Sequence, residues 1–280
     1  MRTVDASVIS ETVAGLCIEA ATVLEEDIEE ALHKARDHEE SPVGKEILTQ
    51  LLQNAEIAKR NKIPMCQDTG IVVALVEIGQ EVVITGGNLY EAIAQGVRKG
   101  YQKGYLRKSV VNNPIERKNT NDNTPPVVHY KIVPGDALRI TILPKGAGSE
   151  NMSALKMLKP ADGIDGVIKF VLDTVKAAGP NACPPLTVGV GIGGTMEKAA
   201  LMAKEALTRP LGQRHPLPFI AELEQVLEEK LNALGIGPMG LGGRITVLAV
   251  HIEVFATHIA SLPVAVNLNC HACRHKTAVL

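Results

Sequence analysis

Aromatic side chains are nearly missing from this chain: they make up 2% of its 280 residues, and tryptophan is absent. A surface that stacks successive bases needs such rings, so composition excludes an extended single-strand nucleic-acid site. Neither sign of charge is in excess, since 29 Lys and Arg face 31 Asp and Glu for a formal net charge of −2. That leaves no basic footprint for nucleic acid or an anionic membrane, and makes a small-molecule site the default expectation. Long hydrophobic runs are scarce as well. The most apolar stretch, Ile245 to Val266, is interrupted by His251, Glu253 and His258, and the opening MRTVDASVIS lacks the apolar centre of a leader. Neither export nor membrane insertion is expected, which points to a cytoplasmic protein.

What remains is an aliphatic chain built on Val, Ile, Leu and Ala, long enough to bury roughly three quarters of its unfolded surface. Apolar residues recur at helical spacing from Val4 to Ala35 and again from Val43 to Lys59, so the first 62 or so residues are expected to be helical. Ile71–Ile78 and Glu81–Ile84 read as a hairpin, Asn88 as the cap of a helix running to Lys103, and NNPIERKNTNDNTPP, from Asn112 to Pro126, as a long polar loop. Strands are expected at Val127–Val133, Ala137–Leu143, Leu186–Ile192, Arg244–Phe255 and Leu262–Asn267, with helices near Gly163–Ala178, from GGTMEKA to Leu207, and at Phe219–Leu234. The pattern predicts a mixed α/β fold, a helical N-terminal region followed by mixed sheets with flanking helices, in a single domain over 1–280.

Five cysteines, an odd number at wide spacings, argue for metal or catalytic use over a disulfide framework in such a chain. Cys66 lies in KIPMCQDTG, between the end of a helix and the start of a β-branched run, beside Gln67, Asp68 and Thr69. Cys183 lies in NACPP before a strand, and Cys270 follows a strand in NLNC. Their separations mean that only tertiary structure could bring them together. Cys17, on the apolar face of a helix, reads as packing. Cys270 and Cys273 form a lone C-x-x-C with His271 and His275 nearby, which opens the alternative of a zinc-structured interaction module, although no second ligand pair exists. The small residues of PKGAGSENMS, Gly146 and Gly148 among them, suit a backbone that closely approaches a ligand. GVGIGG, Gly189 to Gly194, matches a dinucleotide fingerprint only in its glycines, because the second strand with an acidic end is replaced by a helix and a linker. Thr195 after it is placed to cap a helix.

Five segments in one order, CQDTG, LRKS with RKNTNDNTP, PKGAGSENMS, GPNACPP followed by GVGIGGT, and THIASLPVAVNLNCHACRH, resemble the N-terminal half of the class I, iron-sulfur fumarate hydratases and the related L(+)-tartrate dehydratases. The resemblance runs from about residue 5 to the end. It implies a 4Fe-4S cluster on Cys66, Cys183 and Cys270. Three cysteines leave one iron open, and such an iron acts as a Lewis acid toward a substrate hydroxyl and carboxylate. It further implies that Asp68 moves a proton at the leaving hydroxyl, that Gln67 hydrogen-bonds the substrate and Arg107 pairs with a carboxylate, that Gly146 and Gly148 approach the substrate, and that His258 contacts the bound acid as a catalytic group. Single-chain members continue into a second domain carrying the base and further cations, so the resemblance implies an α subunit that works with a separate β subunit in a dimer of heterodimers. The expected reaction is reversible hydration of fumarate to L-malate, with L(+)-tartrate dehydration as the alternative.

Overall fold

The computed structural model describes Met1 to Leu280. The chain runs β1 (Arg2–Asp5), α1 (Ala6–Thr22), α2 (Glu26–His38), α3 (Pro42–Asn61), β2 (Ile71–Gly79), β3 (Val82–Thr85), α4 (Leu89–Lys103), β4 (Val127–Val133), β5 (Leu138–Lys145), the single turn α5 (Ala147–Glu150), β6 (Ala154–Leu158), α6 (Gly163–Ala178), β7 (Leu186–Gly193), α7 (Met196–Ala206), α8 (Pro218–Asn232), β8 (Val247–Phe255), β9 (Leu262–Asn269) and β10 (Lys276–Val279). It is the mixed α/β architecture that the pattern predicts, with long N-terminal helices ahead of mixed sheets.

Two compact units share these elements. The first comprises Met1–Glu25, Asn54–Ala147 and Arg274–Leu280, and the second Glu26–Gln53 and Gly148–Cys273. In the first unit β2 is central, parallel to β4 and antiparallel to β5, and β10 completes the order β10-β5-β2-β4. Its core is aliphatic, with Ile9, Val13 and Leu16 of α1 and Ile93 and Val97 of α4 set against Val72, Ala74, Ile140 and Ile142 of the sheet. Helices α1 and α4 pack closely because α4 carries glycine where side chains would collide. A β-carbon at Gly96 would lie 2.6 Å from the Ser10 carbonyl, and one at Gly100 would lie 2.8 Å from that of Ala14. Asp5 starts α1 by accepting from Ser7 N at 2.8 Å, and Asn88 starts α4 by accepting from Glu91 N at 3.2 Å. Cys17 is fully buried in this core, and burial pushes its thiol up to about 12.

In the second unit the sheet order is β6-β9-β7-β8, with β7 antiparallel to β9 and parallel to β8. Its core gathers Val188, Val190, Val250, Ile252, Val264 and Val266 of the sheet with apolar residues of α6 and α8.

Three readings of the sequence need correction. β2 and β3 follow one another but do not form a hairpin, because β3 pairs in parallel with β1 while β2 takes β4 and β5. Strands β1, β6 and β10, each of four or five residues, were not anticipated. The Thr195 side chain does not cap α7; its hydroxyl donates to Glu197 instead. Apart from these, Ala6–His38 is the one stretch long and apolar enough to cross a membrane by length and composition. It is broken after Thr22 into α1 and α2, and Ile9, Val13, Leu16 and Ala20 of α1 are buried.

Candidate functional site

The first unit presents the turn from Cys66 to Gly70. Its entry is fixed where Met65 N donates to the Ala21 carbonyl at 3.0 Å and Asn54 Nδ2 donates to the Met65 carbonyl at 2.8 Å. Its exit requires glycine: Gly70 has φ +75°, and a β-carbon there would fall 2.7 Å from the backbone of Lys145. Between these anchors the Cys66 thiol is half-exposed, and its sulfur accepts from Asp68 N at 3.4 Å. Asp68 is aimed by two backbone donors, Gly70 N on Oδ1 at 3.0 Å and Ala147 N on Oδ2 at 2.8 Å. Gln67 is exposed beside it.

Two residues that sequence reasoning did not single out hold this turn. The Tyr101 hydroxyl donates to the carbonyls of Thr69 at 2.5 Å and Gly70 at 3.1 Å, and burial raises its ionisation well above the usual tyrosine range, so it remains a donor. Asn123, fully buried, donates from Nδ2 to the Gly70 carbonyl at 3.1 Å and accepts from Ser109 N at 2.7 Å. The signal for Asn123 was its place in the polar loop, which is ordered by such bonds. Burial of Asp122 in the same loop raises its carboxyl, but hydrogen bonds from Arg98 and Thr124 outweigh that and bring it down to about 2. The segment between α4 and that loop places Arg107 beside the turn. Its carbonyl accepts from Thr69 Oγ1 at 2.9 Å while its side chain is exposed. Gly146 follows β5, and a β-carbon there would meet Asp68 Oδ2 at 3.3 Å and Arg274 Nη2 at 3.5 Å. Asp68, Arg107 and Gly146 thus belong to one neighbourhood.

The second unit holds the other two candidate thiols. Cys183 ends a short 3-10 turn with φ +56°, a left-handed conformation uncommon for a side-chain-bearing residue. Its carbonyl accepts from His271 N at 3.3 Å, which joins its segment to the one carrying Cys270 directly after β9. Both thiols are half-exposed. Cys273 differs: it is buried, its sulfur accepts from Asn269 Nδ2 at 3.2 Å, and its thiol donates to the Leu207 carbonyl at 3.4 Å. The C-x-x-C is therefore not a ligand pair with both sulfurs turned outward. Gly148 abuts the Asn181 carbonyl, 3.1 Å from where its β-carbon would sit. His258 is exposed, accepts from Ala260 N at 3.2 Å, and lines a cavity of about 450 Å³ with Thr195, Lys198 and Phe255. The structure does not itself assign a role to His258 or Gly148.

The first unit holds one half-exposed thiol and the second holds two, and no three His, Cys, Asp or Glu side chains converge as a metal-ligating set. The donor chemistry nonetheless fits an iron-sulfur cluster. The three candidate thiols sit at turns outside the cores, one of them already receiving an N–H of the kind that stabilises a ligating thiolate, whereas Cys17 and Cys273 are sealed inside. The GVGIGG glycines are accounted for by packing. β-Carbons at Gly189 and Gly191 would strike the carbonyl oxygens of Ala203 and Ala199 in α7 at 2.0 and 2.1 Å.

Comparison with known proteins adds a second line of evidence. A family model described as fumarate hydratase (fumerase) matches residues 10–279. The chain is 45% identical over 272 residues to a Methanocaldococcus jannaschii protein named "Putative L(+)-tartrate dehydratase subunit alpha", covering 95% of each chain. It is 38% identical over 273 residues to an L(+)-tartrate dehydratase subunit alpha of Escherichia coli, covering 96% of this chain and 89% of that one. A Shigella boydii protein of the same name is 37% identical over 276 residues, covering 97% and 90%.

Proposed function

Because the chain belongs to the class I fumarate hydratase family, we propose that it is the α subunit of a hydro-lyase that removes water from L(+)-tartrate and works with a separate β subunit. Reversible hydration of fumarate is the second reading. This order reverses the expectation from sequence, because the relatives matched over nearly their whole length are named for tartrate. The observation that carries the proposal is the coincidence in one turn of a half-exposed thiol, Cys66, with a carboxylate, Asp68, aimed by two backbone donors.

Cys66, Cys183 and Cys270 would hold a 4Fe-4S cluster, which supplies an open iron as a Lewis acid for the substrate hydroxyl and carboxylate. The roles of the chain's own residues follow from the elimination. A leaving hydroxyl departs as water, so it needs a proton, and protonated Asp68 gives one; in the reverse direction its carboxylate takes the proton back. The donors on Oδ1 and Oδ2 fix the carboxyl so that little reorganisation precedes the transfer. Arg107, exposed beside the turn, pairs its planar fork with one substrate carboxylate, and Gln67 hydrogen-bonds the substrate. Gly146 and Gly148 let backbone approach the substrate without side-chain obstruction, and His258 contacts the bound acid. The base that removes the carbon-bound proton belongs to the β subunit, and the working assembly is a dimer of heterodimers that turns over a small dicarboxylic acid in the cytoplasm.

Assay of the co-purified α and β subunits under anaerobic conditions tests this reading. The complex should convert L(+)-tartrate to oxaloacetate, and this chain alone should be inactive. Asp68→Asn should lower turnover by about a hundredfold or more while iron and sulfide stay bound. A complex inactive on both tartrate and fumarate, or an Asp68→Asn complex with near-normal turnover, would overturn it.

A further inference from the structure

Arg274 is 3% exposed, yet its Nε and Nη1 have no hydrogen-bond partner. A buried guanidinium with unmet donors is costly, and the cost is removed by an anion that accepts from it. Neither polar group near it meets these donors: Asp68 accepts from Gly70 N and Ala147 N, the Tyr101 hydroxyl donates to the carbonyls of Thr69 and Gly70, and neither bonds to Nε or Nη1 of Arg274. What lies between guanidinium and carboxylate is the missing side chain of Gly146: a β-carbon there would be 3.5 Å from Arg274 Nη2 and 3.3 Å from Asp68 Oδ2. Gly146 does not carry a positive φ, so its lack of a side chain is not a backbone requirement.

We infer that Arg274 is a substrate-binding residue, taking one carboxylate of the hydroxy-dicarboxylate in the gap left by Gly146; the inference rests on the hydro-lyase reading above. A carboxylate that reaches Nη2 there and takes an adjacent unmet donor of the same guanidinium in a bidentate pair lies beside Asp68, so that carboxylate and the hydroxyl on its neighbouring carbon can face the guanidinium and the proton-transfer group together. Arg107, exposed and joined to the turn through its carbonyl, is left for the second carboxylate. Two cations for two carboxylates select a dicarboxylate over a monocarboxylate of the same length. A planar fork suits the task better than a point charge, and an arginine stays charged when buried, as a lysine need not.

The test compares succinate and butyrate as competitive inhibitors of the anaerobically purified αβ complex, in wild type, Arg274→Gln and Arg274→Lys, with iron and acid-labile sulfide measured in each. In Arg274→Gln the preference for succinate over butyrate should shrink by about tenfold or more, the loss of one charge-assisted pair, while KM for L(+)-tartrate rises by a similar factor and iron and sulfide stay constant. Arg274→Lys should fall between. A purely structural guanidinium would weaken both inhibitors alike, so an unchanged preference in both variants overturns the inference. Loss of iron and sulfide with the preference intact would make Arg274 a neighbour of the cluster, and failure of both variants to fold would make it structural; either result also overturns it. Wild-type complex without turnover would instead remove the parent reading, and is distinguished by being visible before any variant is made.

Discussion

At Gly189 and Gly191 an added β-carbon would land 2.0 and 2.1 Å from carbonyl oxygens of α7, whereas at Gly146 it would meet only the ends of two side chains, Asp68 Oδ2 and Arg274 Nη2, at 3.3 and 3.5 Å. Both stretches are glycine-rich and precede a helix, the first lying within β7 and the second directly after β5. The difference lies in what occupies the space that the glycine vacates. Backbone of a neighbouring helix cannot give way, so the first set of glycines exists to let α7 lie flat on β7. Side-chain ends can shift, so the space at Gly146 is the one the proposed substrate site uses. A glycine motif read from sequence alone does not separate these uses, and its vacated volume does.

Gly191→Ala should give the largest effect of this comparison, a loss of about 3 kcal/mol or more, because the collision is with backbone and the helix must move off the strand. Thermal unfolding would register it, and a variant as stable as wild type would break the packing explanation. Next comes His251, opposite Gly189 in the sheet and buried, with Nδ1 at 3.1 Å from the Ala206 carbonyl of α7. Burial lowers its imidazole to about 4, against an ordinary value of 6.5. Between those values the unfolded chain binds the proton that the folded chain refuses. The stability His251 contributes is therefore fully present above pH 6.5 and is lost as pH falls toward 4, by an amount of about 3 kcal/mol. His251→Gln should flatten that part of the stability profile, and an unchanged slope would show that the residue is not the cause. Gly146→Ala should have the smallest effect on stability, within about 1 kcal/mol, because only side-chain ends must shift, yet it should raise KM about tenfold by filling the gap. A large stability loss with normal KM would erase the contrast with Gly191.

The turns that carry the candidate residues were legible in sequence because their signals are local. CQDTG sits between a helix and a β-branched run, NACPP precedes a strand, and NLNC ends one. What was illegible depended on distant partners. The β-branched runs Ile71–Ile78 and Glu81–Ile84 announce strands but not whom they pair with, and the intervening turn made a hairpin the natural reading although β1 claims β3. β6 is exposed along most of its length, and β10 has four residues whose strand character comes from pairing with β5. Arg274 stands in the basic run RHK near the end of the chain, where no local signal announces burial, and only the fold buries it. Tyr101 carries no motif at all; its importance lies in two carbonyls more than thirty residues away in sequence.

The contrast between half-exposed and sealed thiols is the central claim, and iron and acid-labile sulfide analysis of the anaerobically purified αβ complex tests it most directly. Cys66→Ala, Cys183→Ala and Cys270→Ala should each abolish cluster content, while Cys17→Ala and Cys273→Ala should retain both iron and sulfide. Full iron and sulfide in any of the first three variants, or zinc without sulfide in the wild-type complex, would contradict it.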